Sequence, residues 1–259
     1  MPDRPTIAEL RARTQPPEVR GRRNSEHWTA DVYQRRLSPY LTRVLVVAGL
    51  SANAVTVLMI VTGAAAGAAL LVPGILGGLL AAVLAQLQML FDCSDGEVAR
   101  WRGTFSPVGI FLDKVGHYTA ESLIPLGLGI RADGGLGSLG GWTTLGAVLG
   151  MLVLFNKALN DAVHVARATS GLTRLEDRAE SAAPRAAGIR RLRSLARFVP
   201  FHRAFHSIEL TLLALVAAVG DLVVGDLGAT RLLVAVLVPA ALLTVVGHMI
   251  AILSSSRLR

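Results

Sequence analysis

A single cysteine, Cys93, among 259 residues gives the chain no means of closing an intrachain disulfide. This fits a protein whose working face looks into a reducing compartment. Aromatic residues are scarce at 5%, and neither a recognisable binding motif nor a run of interleaved basic and aromatic residues is present. The formal charge of +8 is therefore not read as a nucleic-acid footprint. Charge itself is in short supply, at 17% against the usual quarter of a soluble chain. No internal repeat of about 20 to 50 residues is visible, which excludes a solenoid. The first 25 residues are basic, proline-containing and polar, without the apolar core that a cleaved signal peptide needs, and read as a loose segment.

What the chain does have is apolar length. The hydrophobic share is 52% and the mean hydropathy +0.52. Six runs with few charges cover roughly 52–72, 74–94, 107–130, 139–166, 205–225 and 228–254. Each is long enough as a helix to cross about 30 Å of hydrocarbon. The sequence thus predicts an all-α integral membrane protein with six transmembrane helices over residues 51–259.

The basic residues divide by loop. Nine precede residue 52, Arg100 and Arg102 separate the second and third runs, and nine more lie from Arg167 to Arg203. The alternate loops are nearly bare, holding Arg131 and Arg231. The positive-inside rule then predicts a multi-pass protein of the cell (inner) membrane with both termini and both basic loops cytoplasmic. Residues 26–50 mix Trp28, Tyr33, Leu37, Leu41 and Val44 with Arg35, Arg36 and Arg43, and read as an interfacial amphipathic helix broken near Pro39. Arg185, Arg190, Arg191, Arg193, Arg197 and Arg203 form a second basic stretch suited to anionic membrane lipids.

One stretch breaks the apolar pattern: "DCSDGEVARWRGTFSPVGIFLDKVGH", residues 92–117. Asp92 and Asp95 lie i, i+3 at the end of the second run. Gly109, Asp113 and His117 recur at i, i+4, i+8 in the third. Carboxylates at such positions tend to be paired, hydrated or liganded, and mark a functional site. Three of them converging would repel one another unless a hard cation such as Mg2+ or Mn2+ lay between them. Arg100 offers a guanidinium fork matched to phosphate, and Gly96, Ala99 and Gly109 allow close approach of a ligand. Together these describe a site for a diphosphate. Further along, Lys157, His164, Arg203 and His206 are candidates to meet a phosphate-bearing acceptor, and Glu121 is expected to pair with Lys157. Intramembrane carboxylates also mark ion paths, so a transporter is an alternative; it would spread charge through the membrane depth rather than gather it at one edge.

The segment Asp92, Asp95-Gly96, Ala99-Arg100, Gly109, Asp113 resembles the signature of the CDP-alcohol phosphotransferase family, D-x2-D-G-x2-A-R-x8-G-x3-D-x3-D, with its spacing intact. "SANAVT" is similar to the family's frequent P-N-x-x-T, keeping Asn53 and Thr56 with Ala52 for proline. The resemblance implies a homodimeric membrane transferase that moves a substituted phosphate from a CDP-linked donor to a hydroxyl acceptor and releases CMP. The donor would be CDP-diacylglycerol or a soluble CDP-alcohol. It further implies metal ligation by Asp92, Asp95 and Asp113, and contact of Asn53 and Thr56 with substrate. The departure is His117, where the family has its fourth aspartate, a metal ligand and the base proposed for the acceptor hydroxyl. An imidazole is a competent base near neutral pH and a weaker Mg2+ ligand than a carboxylate. An inactive, lipid-binding member is the other reading that His117 leaves open.

Overall fold

The structure, a computed structural model, describes residues 4–16, 28–173 and 201–258. All regular elements among them are helical. A short helix α1, Ile7–Thr14, is followed by a π-helical turn, Ala30–Gln34, which runs into α2, Arg35–Val47. Six long helices come next: α3 Ala52–Ala69, α4 Gly74–Arg102, α5 Pro107–Ala132, α6 Gly141–Thr169, α7 Ser207–Val224 and α8 Gly228–Ser254.

These bounds fall close to the six apolar runs except at α4, which continues past the expected 94 so that Arg100 and Arg102 lie in its last turn rather than between helices. Five of the long helices, α3, α4, α6, α7 and α8, are long and apolar enough to cross a membrane. The sixth expected span, α5, has the length at 26 residues but not the composition, since it carries Asp113, Lys114, His117, Glu121 and Arg131. The helix least suited to lipid is the one at the centre of the polar site. Elsewhere the bundle turns large apolar side chains outward, among them Val61, Val83, Val216, Leu222 and Leu243, as a lipid-facing surface does.

Local chemistry sets the helix ends that matter. Gly103, at φ 67°, ends α4 in the left-handed conformation that glycine adopts most readily. Ser106 then caps α5 by accepting the Gly109 N–H at 3.1 Å, with Pro107 at the first helical position. The tight hairpin brings Asp92 and Asp95 of α4 to the same end of the bundle as Asp113 of α5. At the opposite end Asp133 accepts N–H bonds from Gly140 and Thr143, both at 2.7 Å, and so caps the start of α6 from the preceding turn.

Small residues allow the helices to cross closely. A Cβ at Gly127 of α5 would stand 2.2 Å from the Gly67 carbonyl oxygen of α3, and one at Gly146 of α6 2.6 Å from the Pro125 carbonyl oxygen. Around these crossings Leu70, Ala85, Ile124, Leu128, Leu149, Leu210 and Val234 form the main core.

Two expectations for the N-terminal segment change. Within the stretch read as loose, α1 is a helix with a Thr6–Glu9 capping box, and its Leu10 is wholly buried against Leu45, Val46, Val55, Val98 and Trp101. Around Pro39, α2 continues without a break. Proline removes the bond that the Arg35 carbonyl would otherwise accept, and the Gln15 side-chain amide supplies one instead at 2.8 Å. Of the second basic stretch, Arg185, Arg190, Arg191, Arg193 and Arg197 lie outside the described residues. Arg131, counted above with a loop, is buried in the last turn of α5 and donates to the Val72 and Gly74 carbonyls.

Candidate metal and diphosphate site

Asp92 stands on the inward face of α4, and Asp113 and His117 follow one another by one turn on α5. His117 Nε2 lies 3.3 Å from Asp92 Oδ1 and 3.5 Å from Asp113 Oδ1. The three can offer ligand atoms that all lie within 4.8 Å of one another. Two carboxylates and an imidazole at this separation fit a divalent cation: the carboxylates suit Mg2+ or Mn2+, and the nitrogen favours the softer of the two.

Asp95 is not one of the three. Its Oδ2 accepts the Thr56 hydroxyl of α3 at 2.7 Å, so Thr56 serves here to orient a carboxylate. Asn53 stands one turn before Thr56, with Oδ1 3.2 Å from where a Gly109 Cβ would sit. Of the "SANAVT" stretch, Thr56 thus reaches α4 and Asn53 reaches α5, beside the cluster. Across Gly96 the Arg100 guanidinium lies 3.2 Å from the position of a Cβ, so any larger residue at 96 would displace it. Arg100 Nε donates to the Thr14 carbonyl of α1 at 2.6 Å, a contact without any signal in the residue pattern. Ala99, half-buried on α4, lends its carbonyl to the Thr104 N–H of the hairpin at 3.0 Å.

The expected Glu121–Lys157 pair is present. Lys157 Nζ lies 2.6 Å from Glu121 Oε1, and His206 Nδ1 approaches the same oxygen at 3.5 Å. Glu121, one turn beyond His117, is nearly buried and gathers α6 and α7 onto α5. Lys157 and His206 therefore come together, whereas the other two acceptor candidates do not join them. His164 is exposed on α6 and interacts electrostatically with Asp161. Arg203 is exposed on a separate cavity of about 420 Å³ between Trp28 and α7.

Several polar partners escaped the sequence reading. Asp161 accepts from Lys114 at 2.9 Å and from the Tyr118 hydroxyl. Asn156 meets His248 Nδ1 of α8 at 2.9 Å, and Asn160 accepts from Arg257, just past the end of α8, at 3.3 Å. Cys93, the single cysteine, is buried beside the aspartates.

Residues 49–253 match the CDP-alcohol phosphatidyltransferase family. The chain belongs to that family. No curated protein matches the chain. The family transfers a phosphoalcohol group from a CDP-alcohol to an acceptor and is in general metal-dependent. In this CDP-alcohol phosphatidyltransferase family member the matched region contains every long helix up to Leu253, and with them Asp92, Asp113 and His117. It begins after α1 and α2.

Proposed function

We propose that the protein transfers a substituted phosphate from a CDP-linked donor to a hydroxyl acceptor, releasing CMP, at the cluster of Asp92, Asp113 and His117. The observation that carries the reading is that these side chains, drawn from the two helices of the signature, close to within 4.8 Å inside the family-matched region. Asp92 and Asp113 of the cluster, with Asp95 held beside them by Thr56, are assigned as the carboxylates that would hold Mg2+ or Mn2+, which leaves His117 Nε2 unligated to act on the acceptor. When bound, the metal supplies charge neutralisation for the donor's diphosphate and for the departing CMP phosphate.

The chain's own residues do the rest. Arg100 directs positive charge over Gly96, where a diphosphate can approach backbone without meeting a side chain. The acceptor oxygen attacks the donor's β-phosphorus and the bond from that phosphorus to the CMP oxygen breaks. The hydroxyl proton passes to His117 Nε2, where Asp92 at 3.3 Å and Asp113 at 3.5 Å stabilise the imidazolium that forms. Lys157 and His206, gathered by Glu121 one turn beyond His117, face the acceptor's side; Asn53 and Thr56 support Gly109 and Asp95 at the donor's side. Lipid tails of CDP-diacylglycerol would lie against the outward apolar surface, and the product would be a phospholipid; a soluble CDP-alcohol would leave that surface unused and give a polar phosphodiester. We place the site and both termini at the cytoplasmic side, since Arg100 and Arg102 in the last turn of α4 and Arg167 in the last turn of α6 stand at the end of the bundle where the cluster lies. The family resemblance favours a homodimer.

The test is incubation of purified protein with Mg2+ or Mn2+ and a panel of CDP donors and hydroxyl acceptors, with products identified by mass spectrometry. A phosphodiester formed together with stoichiometric CMP is expected. Binding of lipid without CMP release from any pair would make the chain a non-catalytic member instead.

A further inference from the structure

Glu97 has no role in the reaction above, yet it is a carboxylate with a full set of polar partners. It is wholly buried on α4, two residues past Asp95. Its Oε1 accepts the Gln15 amide at 2.8 Å and the Ser38 hydroxyl at 2.6 Å, and its Oε2 accepts the Thr42 hydroxyl at 2.7 Å. Arg35 stands 3.6 Å from Oε1. All four partners precede residue 49, where the family match begins. Buried carboxylates are held only by such complete sets of donors, and removing one leaves an uncompensated buried charge.

Positions two apart on a helix point to opposite sides. Asp95 faces α3 through Thr56, and Glu97 faces α1 and α2, so the end of α4 is held from both sides. One turn further on, Arg100 is fixed by the Thr14 carbonyl at the end of α1. The Arg13 guanidinium lies 5.3 Å above the Trp101 ring, and Leu10 fills the space between α1, α2 and α4. Every contact of α1 and α2 with this part of α4 falls within a turn or two of the signature.

Resting on the reading of the site given above, we infer that Glu97, with Gln15, Ser38 and Thr42, is a set of positioning residues through which α1 and α2 set the rotation of α4 and hence the placement of Asp95 and Arg100. The segment ahead of the family domain is in this sense part of the active site without touching substrate. Displacements of about 1 Å at a reacting centre can lower rates by about 100-fold, so loss of one anchor should be measurable at the site.

The test compares Thr42→Val, which keeps shape and loses the hydroxyl, with Thr42→Ser, which keeps the hydroxyl. Mn2+ binding to the purified full chain is followed by electron paramagnetic resonance, alongside the KM for the CDP donor and thermal unfolding. For Thr42→Val, a Mn2+ affinity at least about 5-fold weaker and a donor KM raised by a similar factor are expected, with the acceptor KM unchanged. Thr42→Ser should restore both. Should Thr42→Val fail to fold, Gln15→Ala removes another donor of the same set and carries the same expectation. Wild-type Mn2+ affinity and donor KM in the variant, whatever its melting temperature, would overturn the inference while leaving the site reading intact. A wild-type protein that binds no Mn2+ would overturn the site reading and this inference with it.

Discussion

His117 stands where two carboxylates converge, and its chemistry decides how this site differs from one built of aspartates alone. If its Nε2 receives the acceptor proton, His117→Ala should lower turnover by about 10² to 10⁴ while the CDP donor still binds. His117→Asp should recover part of the rate and tighten metal binding. A well-folded His117→Ala enzyme turning over at the wild-type rate would remove the base from the account. Glu121 offers a second residue-scale test. Removing Lys157 leaves its nearly buried carboxylate with only the more distant His206, so Lys157→Met should destabilise the protein by about 3 kcal/mol. The double variant with Glu121→Gln should recover most of that loss in thermal unfolding, and an equally unstable double variant would contradict the pairing. Spacing foretold the meeting of Asp113 with His117, because partners one turn apart on a helix are visible in a sequence; the Glu121–Lys157 pair joins two helices and was expected only as the meeting of opposite charges in neighbouring apolar runs. The anchoring of Arg100 on Thr14 and of Glu97 on Gln15 spans 86 and 82 residues and has no period to betray it.

At the scale of the helices, the crossings of α5 with α3 and α6 place the cluster. They depend on glycines that admit no side chain: a Cβ at Gly146 meets the Pro125 carbonyl oxygen at 2.6 Å. Gly146→Val should therefore separate α5 from α6, lower the melting temperature in detergent and weaken activity through Glu121 and Lys157, at about 1 to 3 kcal/mol for the overpacking. A variant with wild-type melting temperature would contradict so close a crossing. Most helix boundaries were legible because hydropathy falls at the turns; the end of α4 was not, because its last two turns are polar and the helix stops only at Gly103. The status of α5 was less so, since the same polar residues that form the site reduce its resemblance to a membrane span. The short α1 was missed because it has a single buried apolar anchor, Leu10, and owes its order to docking rather than to its own amphipathic pattern.

The molecule as a whole presents basic residues at one end of the bundle, where the cluster lies. At the other end both basic residues are engaged: Arg131 with the Val72 and Gly74 carbonyls, and Arg231 with the Ala132 carbonyl and Asp226. In a Cys93→Ser background, Ser138→Cys should react with an impermeant thiol reagent from outside the cell, and Ser170→Cys only after the membrane is opened. The reverse pattern would invert the proposed orientation and put the site on the outer face. The family could be read from the chain because a fixed spacing of aspartates and glycines carries more information than composition does, and the all-helical membrane class because the apolar runs are long. The acceptor could not, because the residues proposed to meet it, Lys157 and His206, lie in separate runs and come together on Glu121 only in the fold. The central claim is that Asp92 and Asp113 together hold the metal on which release of CMP depends. Its most direct measurement is Mn2+-dependent CMP release from a CDP-linked donor by the purified wild-type protein and by Asp92→Asn and Asp113→Asn, each shown to be inserted and folded. The account predicts CMP from the wild type and none above background from either variant; near-normal release from either one would contradict it.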